Sequence, residues 1–275
     1  GKSVLITAPV ILIASGFGTS LLDHVNLNRS KQTDYLIGTQ MVVETESLDH
    51  IQLFTGSEFS PGSFAWLVPK DKSQALLGIV SKSKNGLYLK QLTNKLTECN
   101  IIKKCLNDQE TWGIPLKPID KTYGPRVLIL GDAAGFAKPT TGGGIYYAMI
   151  SGQLAAEAIL YCMRTGNFNS IELSRYQASW EKSFGDELKT GYNARLLYEC
   201  LDDNALNKLL EKFSSIEIQK EILSSEEFSF DWHASIIGST VRNKEIYSLL
   251  TSLGPGIPAF FAKVLKRLFL ESAYR

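Results

Sequence analysis

The order of apolar and polar positions changes style three times along the chain. Near the start, Val4-Leu-Ile-Thr7 and Val10-Ile-Leu-Ile-Ala14 are short apolar runs, the second ending in Ser15-Gly16-Phe17-Gly18-Thr19-Ser20. Both predict strands. Partial alternation then predicts strands at Tyr35–Thr45, Ile51–Thr55, Ser63–Val68 and Ala75–Ser81, joined by connections short enough for an antiparallel meander. Leu87, Leu89, Leu92 and Leu96 predict a helix to about Cys99, and a polar, irregular segment follows through Trp112. Arg126-Val-Leu-Ile-Leu-Gly131 is again short and apolar, as a buried strand would be. Beyond it, Ile145, Ala148, Met149, Gly152, Ala155, Ala156 and Ile159 recur at three and four, the spacing of an inward helical face. The remainder stays helical in pattern and contains no internal repeat.

The segment between that strand and that helix, GDAAGFAKPTTGGGIYYAM from Gly131, concentrates the chemistry. Glycines on a strand-to-helix crossover expose backbone N–H groups beside the positive end of a helix dipole. Gly142, Gly143 and Gly144 let a flat ring or a phosphate approach without a Cβ in the way. Asp132 is poorly suited to a phosphate but accepts hydrogen bonds from sugar or polyol hydroxyls, and Pro139 stiffens the turn between. The combination suits a flavin nucleotide. The plainer alternative, glycines that only permit tight turns, does not account for the acid and the proline on the same crossover.

The stretch resembles the second flavin motif of the geranylgeranyl reductases, within the flavoproteins shaped like p-hydroxybenzoate hydroxylase. A second stretch, PGSFAWLVPK from Pro61 to Lys70, is similar to that family's P-x-x-Y-x-W-x-F-P signature. The resemblance runs in order from Val10 to about Gly166. It implies an α/β (α+β) fold: part of a Rossmann-like FAD-binding domain (1–30 and 110–166), an inserted antiparallel-sheet substrate domain (31–109) and a helical C-terminal region (167–275). It implies FAD as cofactor, held by Gly131, Asp132, Ala133, Pro139, Thr141, Gly142, Gly143, Gly144 and Ile145, with NAD(P)H or ferredoxin as reductant. It further implies a prenyl-lipid or prenyl-diphosphate substrate walled by Phe64, Trp66, Val68 and Pro69, and saturation of its carbon–carbon double bonds.

Several positions depart from the pattern. The family's Ala-Asp-Gly reads Ala14-Ser15-Gly16, and Phe64 and Val68 stand for the usual Tyr and Phe. The G-x-G-x-x-G crossover for the ADP half of FAD has no counterpart; Gly16-Phe-Gly18 lacks the third glycine. The chain opens on Gly1 and its first methionine is Met41, so it is expected to be a piece of a longer protein. Two other readings remain open: a flavin monooxygenase or halogenase on the same scaffold, and a non-catalytic lipid-binding relative. No residue is assigned as the proton donor; Tyr146 and Tyr147 lie close to the motif.

Composition narrows the partners. With 275 residues, 44% hydrophobic, the chain can bury a substantial core, and a net charge of +1 argues against a polyanion binder such as a nucleic-acid protein. The four cysteines have neither CxxC spacing nor the density of a disulfide scaffold, and the three histidines make no metal-ligand pattern. No run approaches the roughly 20 apolar residues of a membrane span. A cytoplasmic monomer is expected. Pro258–Ala273 places Phe260, Phe261, Val264, Leu265, Leu268 and Phe269 at helical spacing opposite Lys263, Lys266 and Arg267. Such a basic amphipathic helix either lies on an anionic membrane or docks on its own protein, where the acid-rich stretch Glu199–Asp231 offers partners.

Overall fold

A computed structural model describes residues 4–27, 34–46, 48–214, 220 and 229–252. In chain order its elements are β1 (Ile11–Ile13), α1 (Leu21–His24), β2 (Tyr35–Thr45), β3 (Gln52–Gly56), β4 (Ser60–Pro69), β5 (Gln74–Ser81) and α2 (Asn85–Glu98). There follow β6 (Ile102–Cys105), β7 (Glu110–Pro115), β8 (Tyr123–Gly124), β9 (Val127–Ile129), α3 (Gly131–Ala134), α4 (Ile145–Thr165) and α5 (Ser170–Trp180). A π-helical turn, Glu181–Gly185, leads into α6 (Asp186–Glu199), then α7 (Asp203–Phe213), α8 (Ala234–Arg242) and α9 (Lys244–Ser252). Contacts divide the chain into two units. One holds residues up to Tyr35 together with Ile114–Tyr192; the other holds Leu36–Gly113 and the residues from Asn193. The helices expected as one region from 167 are thus shared between the units.

The first unit is built on a three-stranded sheet, β1-β9-β8, in which β1 and β9 are parallel and β8 antiparallel. Val127, Leu128 and Ile129 are buried, as the apolar run from Arg126 predicts. Val4–Thr7 does not form the expected strand: it joins no ladder among the described residues, and Leu5 is 94% exposed. An apolar run without a hydrogen-bonding neighbour has nothing to hold it extended. Helix α4 is present, but its buried face is Tyr147, Ser151, Ala155, Ala158 and Cys162, not the face carrying Ile145 and Met149, which are exposed. Two anchors rotate it. Ser151 Oγ accepts the Gly131 N–H (3.3 Å) and donates to the Ala148 carbonyl (2.8 Å). Tyr147 packs on Phe184, ring centroids 5.2 Å apart.

The π turn brings Phe184 against Phe136 (5.1 Å) and Trp180 (5.7 Å). Such turns widen a helix by one residue and re-aim a side chain. The Tyr176 hydroxyl donates to the Ile129 carbonyl (2.9 Å), tying α5 to β9.

In the second unit the sheet runs β3-β4-β5-β2, and β6 and β7 both pair with β2. The meander expected from loop lengths holds for β3–β4–β5. The long β2 lies on the far side of β5, in antiparallel register from Ile37↔Ser81 to Glu44↔Gln74. Strands β6 and β7 fall in the segment expected to be irregular; their polar residues hide the pattern. One sheet face buries Met41, Val43, Ala65, Leu67, Leu77 and Ile79 against Leu89, Leu92 and Leu96 of α2. That apolar face, fully removed from water, holds this unit's sheet to its helix. A smaller cluster joins Leu197, Val241, Ile246 and Leu250.

Among the described residues no helix is long and apolar enough to cross a membrane, and no group of three or more metal ligands gathers. The cysteines are free thiols. The amphipathic segment Pro258–Ala273 lies outside the described residues.

Candidate functional site

The glycine segment folds as the end of β9, the single turn α3, a loop and the start of α4. Gly131 begins α3 at φ +56°, a left-handed conformation that favours glycine, and it is buried against Ala148. Asp132 follows, half-buried, and burial raises its carboxyl above the usual value of 3.8. Its carboxylate faces Gly144, the residue before α4, so closely that a Cβ there would overlap the oxygen. The strand end and the helix start therefore meet at one carboxylate.

The loop between them is closed by its own backbone: Lys138 N–H donates to the Gly143 carbonyl (2.9 Å), and Gly142 N–H to the Lys138 carbonyl (2.8 Å). Gly142 has φ +79° and lies against Ile114, whose Cδ1 would be 3.1 Å from an added Cβ. Pro139 is buried under Gly191 of α6, where an added Cβ would stand 3.2 Å from the ring. Thr141 and Gly143 are exposed on the loop, and Gly143 N–H reaches Thr141 Oγ1 (3.4 Å). Ile145, the first residue of α4, is 82% exposed, and Ala133 is fully buried. The structure thus brings Asp132, Gly142, Gly143 and Gly144 together on one bare surface, with Gly131, Ala133 and Pro139 as its buried support. Two supports escape sequence reading: Lys138, 7% exposed within the loop, and Gly191, remote in sequence.

This surface fits the flavin end of FAD on chemical grounds. It offers a half-buried carboxylate for ribityl hydroxyls, three consecutive glycines at a helix start, and the positive end of a 21-residue helix. Among the described residues no G-x-G-x-x-G turn accompanies it.

In the second unit, strand alternation places Phe64, Trp66 and Val68 on the sheet face away from α2. The Phe64 and Trp66 rings are 5.9 Å apart, and Trp66 Nε1–H donates to Gln40 Oε1 (3.2 Å). Trp66 lies flat over Gly78, its cross-strand neighbour, where any Cβ would collide with the ring. Pro69 ends β4 opposite Ala75 and, by the same alternation, belongs to the α2 side, not with the other three. The strand's entry is clamped. Arg195, 4% exposed, donates to the Gly62 carbonyl (2.6 Å) and Ser63 Oγ (3.3 Å) and pairs with Glu199 (2.9 Å).

Two clefts hold none of the expected site residues: one of about 490 Å³ beside Ser57, Glu199 and Asp203, the other of about 420 Å³ beside Lys117, Trp180 and Tyr192.

No protein-family profile matches the chain. It is 34% identical over 170 residues to a digeranylgeranylglycerophospholipid reductase of Methanopyrus kandleri, covering 59% of this chain and 44% of the relative. It is 27% identical to the digeranylgeranylglycerophospholipid reductase of Methanothrix thermoacetophila, over 80% of this chain and 58% of that one. Among solved structures, a geranylgeranyl bacteriochlorophyll reductase-like protein of Thermoplasma acidophilum superposes with a TM-score of 0.69 at 22% identity, over 95% of this chain and 62% of its own. A flavin-dependent halogenase superposes less well, with a TM-score of 0.56 at 13% identity, over 92% of this chain and 50% of the halogenase. These likenesses establish the flavoprotein fold, and the chain spans about half the length of the curated relatives it matches. By sequence the chain is similar to digeranylgeranylglycerophospholipid reductases, and by fold it is similar to a geranylgeranyl bacteriochlorophyll reductase-like protein and a flavin-dependent halogenase.

Proposed function

We propose that this chain is the flavin-facing and substrate-facing part of an FAD-dependent reductase that saturates carbon–carbon double bonds of geranylgeranyl or related isoprenoid chains on lipids. The observation that carries the reading is the Asp132–Gly144 surface, set on a chain whose relatives are named for the reduction of digeranylgeranyl lipids. FAD, when bound, supplies the hydride, and NAD(P)H or ferredoxin renews it. Asp132 orients the cofactor through its sugar-alcohol chain. The N-terminus of α4, with its backbone N–H groups and positive dipole end, would favour an anionic form of such a cofactor. Phe64, Trp66 and Val68 supply an apolar wall that holds a prenyl chain and keeps water from it.

That wall favours a prenylated lipid or prenyl diphosphate over the small polar aromatics that a monooxygenase takes. A lipid substrate suits a cytoplasmic protein with peripheral membrane contact through Pro258–Ala273. The test is product analysis: native, FAD-loaded and chemically reduced protein is offered a digeranylgeranyl glycerolipid and a phenol. Mass spectrometry should find hydrogen added to the prenyl chains and no hydroxylated phenol. Hydroxylation without saturation overturns the reading.

A further inference from the structure

Sheet register extends the aromatic face well beyond the Phe64–Trp66–Val68 triplet. Gly38 and Phe64 both pair with Val80, while Gln40 and Trp66 both pair with Gly78. Val42 and Val68 both pair with Leu76. These residues form three rows across β4, β5 and β2, all on the face away from α2, because alternate residues of a strand share a face. Leu53 of β3, 66% exposed, pairs with Trp66 and continues the middle row outward.

At the opposite end stands a second tryptophan over a second glycine. Trp112 of β7 covers Gly38: an added Cβ there would lie 2.5 Å from Cε2 and 2.8 Å from Nε1 of the indole. Thr111 Oγ1 lies 3.3 Å from Thr39 Oγ1 and fixes the β7–β2 pairing beside it. A glycine inside a strand often marks such a close approach. Gly38 and Gly78 sit in adjacent rows and each lets an indole lie flat. The floor is accordingly smooth where ordinary side chains would make ridges. Its polar member in these rows, Gln40, is occupied by Trp66 Nε1–H.

We propose that Trp112, seated on Gly38, is the length-determining end of the prenyl site, and that the chain lies across the strands from Leu53 towards Trp112. This inference rests on the reductase reading above. The five strands β3, β4, β5, β2 and β7 set four inter-strand spacings. At about 4.8 Å each they span about 19 Å, comparable with an extended geranylgeranyl chain. A chain half as long, entering at the Leu53 side, ends on Trp66 and never reaches Trp112.

The test compares binding of geranylgeraniol and geraniol to the native, FAD-loaded protein by equilibrium dialysis. The variants are Trp112→Ala, Trp66→Ala and Gly38→Val, the last lifting the Trp112 indole off the sheet without removing it. Trp112→Ala and Gly38→Val should each weaken geranylgeraniol about tenfold and leave geraniol within about twofold. Trp66→Ala should weaken both. Equal loss of both alcohols in Trp112→Ala, or no loss of either, overturns the length-determining role while Trp66→Ala still upholds the prenyl site. Failure of the unaltered protein to bind either alcohol overturns the prenyl reading and this inference with it. Retained flavin absorbance in every variant reports that the fold is intact.

Discussion

The Asp132 carboxylate fills the space that a side chain on Gly144 would need, so strand end and helix start are fitted to each other across the glycine loop. Gly144→Ala should destabilise the protein by about 1–3 kcal/mol, the usual cost of overpacking. Asp132→Ala should relieve much of it. A double-mutant cycle read by urea unfolding should therefore give a coupling of about 0.5–3 kcal/mol, as contacting residues do. Additive losses would place the carboxylate elsewhere.

The same carboxylate gives a pH dependence. Burial raises its pKa above 3.8. A carboxyl that binds its proton more tightly when folded contributes stability in full below the unfolded value and loses it as pH rises through the folded one. At neutral pH the ionised group therefore opposes folding. In the flavin-free protein, Asp132→Asn should raise the melting temperature at pH 7 and flatten its decline above pH 3.8. It should also weaken FAD. A melting profile unchanged by the substitution would contradict the burial.

The fold was legible where one physical signal dominated. Alternation located β2 to β5 because one face of that sheet is a continuous apolar core. The glycine loop was legible because acid, proline and glycines fall within one short run. The buried face of α4 was not, because its anchors are a tyrosine and a serine, residues that an apolar count passes over. Trp112 on Gly38 and Trp66 on Gly78 depend on cross-strand register, which a single sequence does not state. A glycine interrupting an otherwise good strand was the available sign.

Gly78→Val should displace the Trp66 indole and break its hydrogen bond to Gln40. Tryptophan emission should shift to the red, and prenyl binding should fall at least as far as in Trp66→Ala. An unchanged emission spectrum would mean that Trp66 does not lie on the sheet.

Arg195 should be the most sensitive polar residue of the second unit. It is 4% exposed and holds Gly62 and Ser63, at the entry to β4, while Glu199 is shared with Lys82 at 2.7 Å. Replacing it with Met leaves Glu199 half-paired, at a cost of about 3 kcal/mol, the lower end of the range for breaking a buried ion pair. Arg195→Lys should not rescue it, because the fork of donors is lost. A urea midpoint unaffected by Arg195→Met would show that the clamp contributes nothing.

An anaerobic single turnover tests the proposed flavin surface and the proposed prenyl wall in one experiment. Native protein carrying fully reduced FAD is mixed with a digeranylgeranyl glycerolipid, and flavin oxidation is followed by absorbance. The account predicts oxidation of the flavin without oxygen, one double bond saturated per flavin, and a much slower reaction in Trp66→Ala at unchanged flavin content. Reduced flavin that persists with the lipid, and oxidises only when oxygen is admitted, would contradict it.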